Sequence, residues 1–352
     1  MRIALISTPF VPVPPAGYGG TELIVEELVC GLVAAGHDVT LFATGDSHAP
    51  APVRALFPRA VWPPNPTHEL DHAAWAASQI VADARGWDVV HGHVPSLLPL
   101  ARFFDAPLVH TIHHDRDETL VARYAGGDAQ LVAISERQRA LLPEAESVVI
   151  RHGLSPSRFA AGNGQGGYLA FVGRLALEKG AHVAVEVAAA AGLPLKLAGR
   201  AHWRDEPYFR EEVLPRVARS GAQLVGEVGG LQKSRLLGGA VALLFPVAWE
   251  EPFGLVMIEA MLSGTPVVAL ARGAVPEVIE DGLTGFVCAD SVEMIERVRQ
   301  IAAGGFDRRR CRARAAERWS AARMIAEYLA LYRQCRRSWE SADARVAARD
   351  AI

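Results

Sequence analysis

The 352-residue sequence has only four cysteines, and Cys30, Cys288, Cys311 and Cys335 are scattered without CxxC spacing. That excludes a zinc-finger type of site and a disulfide framework, so the thiols read as reduced. A strong charge excess is also missing. The formal net charge of -3 leaves no electrostatic footprint for nucleic acid, so no nucleic-acid partner is expected. No run approaches the ~18 uncharged apolar residues of a membrane span, although attachment to a membrane surface stays open. The opening MRIALIS reads as a strand from the second residue, which leaves no room for a basic leader followed by an apolar stretch. A cytoplasmic protein without a secretory signal is therefore expected. Oligomeric state is unknown from these features.

What is present is ordinary globular composition, 50% apolar and 21% charged, over a length that exceeds what one core usually supports. Short apolar, β-rich runs alternate with helical patterns. Strands are expected at residues 2–7, 39–43, 89–91, 108–110, 130–134 and 147–150, with a helix over 22–35 closed by Gly36. A Gly-rich lapse, SRFAAGNGQGG, follows. The alternation then restarts at 168–172 and continues through 196–198, 223–225, 242–245, 266–269 and 285–287. Apolar strands covered on both faces mean parallel sheets, so the fold class is α/β. Two such domains joined near residue 160 would place ligands at the carboxyl ends of their strands, across a cleft. Residues 319–336 carry apolar positions at helical spacing (Met324, Ile325, Tyr328, Leu329, Leu331) and form a helix expected to cross back over the junction. The final ~15 residues lack that periodicity and read as frayed.

The stretch WEEPFGLVMIEAMLSGTPVVAL, residues 249–270, follows a strand and becomes a helix near 254–262. Glu251 and Glu259 are eight positions apart, ~12 Å if both were helical. With Glu251 ahead of the helix and Glu259 inside it, the two can bracket one extended ligand. Gly254 and Leu255 would offer free amides at the helix start, suited to phosphate or sugar oxygens. Two acids stabilising a helix dipole is the plainer reading of the same residues. In FVGRLALEKG, residues 171–180, Arg174 and Lys179 lie on a turn between strand and helix. There both can face a diphosphate in place of a divalent metal, or simply be solvated surface charges.

A third segment, PPAGYGGTE at 14–22, is Gly-rich and opens a helix. It is not a dinucleotide fingerprint, because residues 9–16 separate it from the strand and Glu22 replaces the last glycine. Gly162–Gly167 precedes its strand, the wrong order. A phosphate loop and a plain connector both remain. The fourth segment, VHTIHHDRDE at 109–118, carries three readings. Asp115 and Asp117 fit a D-x-D metal pair, with His110, His113 and His114 as further ligands. The histidines also fit a structural role, or one of them a role in a reaction. The Arg-rich run at 308–314 reads as a solvated helix face, and 62–68 as a rigid loop bordering an acceptor site.

Taken together, GRLALEKG and EPFGLVMIEAMLSGTPVV resemble the G-R-L-x-x-x-K-G and E-x7-E segments of retaining GT-B glycosyltransferases, in particular glycosyltransferase family 4. The resemblance implies a GT-B architecture of two Rossmann-like α/β/α domains: 1–158 on the acceptor side, 159–318 binding the nucleotide sugar, and a crossing helix at 319–352. It implies a retaining, metal-independent transfer from a UDP- or GDP-linked sugar to an unidentified acceptor such as a glycan, a lipid-linked sugar or a small metabolite. No cofactor is implied beyond the donor itself. Glu251 would contact the donor sugar, Glu259 the ribose, and Arg174 and Lys179 the diphosphate. His113, from Thr111-Ile112-His113, would lie near the reacting carbon. Gly19, Gly20, Gly199, Phe253, Gly254 and Leu255 would complete the donor site, and Gly226 would form a second loop beside the base. His91-Gly92-His93 reads as structural, and Ile134-Ser135-Glu136 as a strand end followed by a helix cap. Arg151-His152-Gly153-Leu154-Ser155 departs from the family's commoner Asn-Gly-Val-Asp linker. Two rival readings are a non-catalytic sugar-nucleotide binder and a nicotinamide-dependent oxidoreductase.

Overall fold

The computed structural model describes residues 1–125 and 127–350. The chain forms two compact units. Met1–Pro15, Gly19–His152 and Ala321–Ile352 make the first; Ala16–Tyr18 and Gly153–Ser320 make the second.

Unit 1 contains β1 (Arg2–Ile6), α1 (Gly20–Ala34), β2 (Asp38–Phe42), β3 (Val53–Arg54), α2 (Pro66–Val81), β4 (Val89–Gly92), β5 (Leu108–Thr111), α3 (Glu118–Tyr124), β6 (Gln130–Ala133), α4 (Glu136–Leu141) and β7 (Ser147–Val149). The seven strands are parallel in the order β3-β2-β1-β4-β5-β6-β7. β1 is apolar on both faces, and Ile3, Ala4, Leu5 and Ile6 are fully buried, as a strand covered by helices requires. α1 buries Leu23, Ile24, Leu28 and Leu32, each side chain contributing roughly 1.5–3 kcal/mol.

Unit 2 contains β8 (Leu169–Val172), α5 (Ala181–Ala191), β9 (Leu195–Ala198), α6 (Glu206–Tyr208), α7 (Leu214–Ser220), β10 (Gln223–Gly226), α8 (Gly230–Gly239), β11 (Leu243–Phe245), α9 (Leu255–Leu262), β12 (Val267–Leu270), α10 (Val275–Val278), β13 (Gly285–Cys288), α11 (Ser291–Ala302) and α12 (Arg308–Arg318). Its six parallel strands run β10-β9-β8-β11-β12-β13. The order reverses between the central strands β8 and β11, so the loops after those two strands are neighbours at the carboxyl end of the sheet, where open α/β sheets hold ligands.

The helix α13 (Ala321–Asp350) belongs to unit 1. Gly31 of α1 lets it approach, since a Cβ there would fall 1.9 Å from Ile325. Tyr328 and Tyr332, both fully buried, reach the sheet: Tyr328 Oη lies 2.7 Å from Thr111 Oγ1 and Tyr332 Oη 2.6 Å from His91 Nδ1. The helix continues to Asp350, past the end of its apolar periodicity, so the frayed tail expected from the sequence is corrected that far. Ala351 and Ile352 lie outside the described residues.

Two further readings are corrected. Residues 66–68 are the first turn of α2 rather than loop: Asn65 accepts from the Thr67 amide at 2.8 Å, and Pro66 fits the first helical position. The Arg-rich run is only partly solvated. Arg308 donates to the carbonyls of Ala240, Val241 and Gly264, and Arg312 to those of Leu262 and Pro156; Arg314 pairs with Glu280. These arginines satisfy carbonyls at the end of α9 and in neighbouring loops.

Candidate active site

The loop after β8 carries Arg174, half-buried. Its guanidinium donates to the Glu178 carboxylate, and its Nε lies 3.7 Å from Asp205. The chain then makes a tight turn, Leu177–Lys179, closed by Gly180 at φ 73°. A Cβ on Gly180 would fall 2.0 Å from the Pro246 carbonyl oxygen, so only glycine lets this turn press against the loop after β11. The amide of Ala248 donates to the Glu178 carbonyl at 2.8 Å and ties the two loops together.

That contact brings Lys179 to Glu251. Nζ is 2.5 Å from Oε2, and Trp249 Nε1 donates to the same oxygen at 2.9 Å while the ammonium lies 4.4 Å above the Trp249 ring. Glu251 is 6% exposed, and its main chain is pinned by Ala274, whose amide donates to the Glu251 carbonyl at 2.8 Å. Glu251 Oε1 has no partner among the described residues. The carboxylate is thus fixed through Oε2, with Oε1 open to accept from a hydroxyl.

Gly254, at φ 82°, begins α9. Among the described residues, no backbone acceptor takes the Gly254 or Leu255 amide. The Phe253 ring is buried edge-on against Trp319, 5.7 Å between centroids, so only its main chain is available to a ligand. Glu259, one turn and more along α9, is 3% exposed and receives Lys233 Nζ at 2.6 Å. Gly199, after β9, would place a Cβ 1.9 Å from the Gly173 carbonyl oxygen, which ties the β9 loop to the β8 loop. Gly226, at φ 74°, ends β10, and its carbonyl accepts from the Gly199 amide at 2.8 Å.

In unit 1, Gly19 is the N-cap of α1, crowded by Pro15 and Val11, while Gly20 opens the helix exposed to solvent. Glu22 accepts from Thr8, and burial raises its pKa. His113, half-buried after β5, shares a hydrogen bond of 2.7 Å between its Nε2 and Nδ1 of His93. His93 sits 4.4 Å from the His91 ring, and His113 stacks at 5.4 Å on His152. Burial, then the neighbouring histidines, holds His93 and His113 well below the ordinary imidazole range; burial pushes His91, His110 and His152 down to about 3. The cluster is neutral at pH 7. Asp117 caps α3 by accepting from the Thr119 amide at 2.8 Å, and Arg116 pairs with Glu118 and Glu144. Among the described residues no three His, Cys, Asp or Glu form a metal-holding group.

Two family models meet in this chain. The model for glycosyl transferases group 1 matches residues 158–318, and that for Glycosyltransferase Family 4 matches 18–157. The chain belongs to the family 4 glycosyltransferases of GT-B fold. This glycosyltransferase is 28% identical over 351 residues to the glycogen synthase of Mycobacterium tuberculosis, with 82% of each chain covered. It is 27% identical to AviGT4, a glycosyltransferase involved in avilamycin A biosynthesis, with a TM-score of 0.73 over 96% of this chain and 98% of that one. It shares its fold with Anabaena Alr3699/HepE, solved in complex with UDP-glucose, at a TM-score of 0.73 and 18% identity over 94% and 99% of the two chains.

Two polar residues of the glycosyltransferase, Lys233 and Asp205, had no sequence signal strong enough to single them out. Lys233 is a lone lysine on a polar helix, far in sequence from Glu259. Asp205 follows a variable loop. His93 was legible in principle: β4 pairs with β5 so that Gly92 lies opposite His110, which puts the next residues of both strand ends side by side.

Proposed function

We propose that this glycosyltransferase transfers a sugar from a UDP- or GDP-linked donor with retention of configuration and without a metal ion. The observation that carries the reading is the junction of the β8 and β11 loops in unit 2. There Lys179, Glu251 and the open amides of Gly254 and Leu255 come together at the switch point of a parallel sheet. Arg174 and Lys179 hold the donor diphosphate. Glu251 accepts from sugar hydroxyls, Glu259 from the ribose, and the main chain at Gly199 lies against the base. His113, neutral, lies beside the reacting carbon. HepE, solved with UDP-glucose, supports a uridine donor.

As the bond from the sugar C1 to the diphosphate oxygen breaks, negative charge develops on the leaving diphosphate. Arg174, Lys179 and the two amides stabilise it, each well-placed donor contributing ~3 kcal/mol. The acceptor oxygen bonds to C1 from the leaving-group side, and its proton passes to a phosphate oxygen. The acceptor is a glycan, a lipid-linked sugar or a small metabolite. No helix among the described residues is long and apolar enough to cross a membrane, and we place the protein in the cytoplasm.

The test is transfer from UDP-glucose and from GDP-mannose across an acceptor panel, with donor hydrolysis as a second readout. Lys179→Ala and Glu251→Ala lower turnover at least ~100-fold with the circular dichroism spectrum retained, and EDTA leaves the wild type unchanged. Full activity in either variant, or a strict Mn²⁺ requirement, defeats the reading.

A further inference from the structure

Each carboxylate of the Glu251/Glu259 pair has its own lysine, but the two lysines stand differently. Lys179 is shared between Glu251 and the Trp249 ring on the loop that faces the diphosphate. Lys233, on α8, has Glu259 as its partner and no other among the described residues. Its side chain is 17% exposed and that of Glu259 4%. α8 is fixed by the buried Ser234 and Leu237, so the lysine stem has little freedom to leave. Glu259 is fixed as well. It lies within α9 among the buried Met257, Ile258, Ala260 and Met261, and its carbonyl accepts from both the amide and the hydroxyl of Ser263.

A carboxylate in such surroundings is costly to keep charged unless a cation accompanies it. A carboxylate oxygen held in one direction can accept from two hydroxyl donors at once. Lys233 occupies Oε1, and Oε2 has no partner among the described residues. We propose that Lys233 is a positioning residue: by holding Oε1 it keeps the Glu259 carboxylate turned so that it meets both hydroxyls of the donor ribose. This rests on the reading of Glu259 as the ribose contact.

The experiment measures binding of UDP and of 2′-deoxy-UDP, and of GDP and 2′-deoxy-GDP, by calorimetry, so no acceptor is needed. Wild type prefers the ribose form by at least ~10-fold, the size of one or two hydrogen bonds to a charged group. Lys233→Met and Glu259→Gln each shrink that preference to within ~3-fold, and Lys233→Arg keeps it. A wild type that binds ribose and deoxyribose forms equally defeats the Glu259 reading itself. A wild type that discriminates beside a Lys233→Met variant that discriminates just as well overturns the proposal alone. So does a variant that weakens both forms equally, because Lys233 would then touch the nucleotide directly. Lys233→Gln is measured in parallel, with the same outcomes, should the methionine variant fail to fold.

Discussion

Lowering the pH from 7 to 5 attacks unit 1 through its buried histidines. His91, His110 and His152 have pKa values pushed down to about 3, with burial as the main cause. In an unfolded chain each would titrate near ~6.5. The folded value is the lower one, so the unfolded chain binds protons more readily. The stability these groups supply is therefore complete above pH ~6.5 and is lost as pH falls towards 3. Over the two units from pH 7 to pH 5 each gives up about 2 kcal/mol, roughly 6 for the three, against a total stability of roughly 5–15. His93 and His113 add to the same side. Glu22 opposes it, since its raised pKa stabilises the fold as pH falls. Carboxylates held low by arginines, such as Glu144 and Glu280, give up their contribution as pH falls from the ordinary carboxylate value downwards, a range that lies mostly below the pH 7 to 5 window. Urea unfolding at pH 7, 6 and 5, followed by circular dichroism and by exchange of the β4 and β5 amides, reads the effect. A free energy of unfolding constant to within ~1 kcal/mol across that range refutes the account of the cluster as neutral and sealed.

Tyr332→Phe leaves His91 Nδ1 buried without its 2.6 Å partner and costs about 1–3 kcal/mol, read as a lower urea midpoint with an unchanged slope. Glu178→Gln releases Arg174 from a partly exposed ion pair across the turn, worth no more than about 1 kcal/mol, so donor KM falls by up to ~5-fold while kcat holds. A donor KM that rises instead would show that Glu178 aims Arg174 rather than competing with the diphosphate.

The strands were legible to within a residue or two because parallel strands buried on both faces are short continuous apolar runs. β3 was not. Val53 and Arg54 are two residues among alanines and prolines, and they join the sheet only because β2 offers them an edge. The start of α2 was written in Asn65-Pro66 but masked by the prolines before it. The arginines of α12 look alike in sequence, and only the fold shows which carbonyls they meet. At the candidate site, the motif segments were visible, whereas the ion pairs were not. Lys179 meets Glu251 because β8 and β11 are adjacent, and Lys233 meets Glu259 because α8 packs against α9; neither distance is encoded locally.

The order of segments along the chain has a consequence for biosynthesis. Unit 2, apart from Ala16–Tyr18, is one uninterrupted stretch, whereas unit 1 needs α13, which leaves the ribosome after all of unit 2. The nascent first sheet therefore waits with His91 and Thr111 uncovered until Tyr328 and Tyr332 arrive. During translation the later-made half can settle first, and the earlier-made half is the one that depends on shelter.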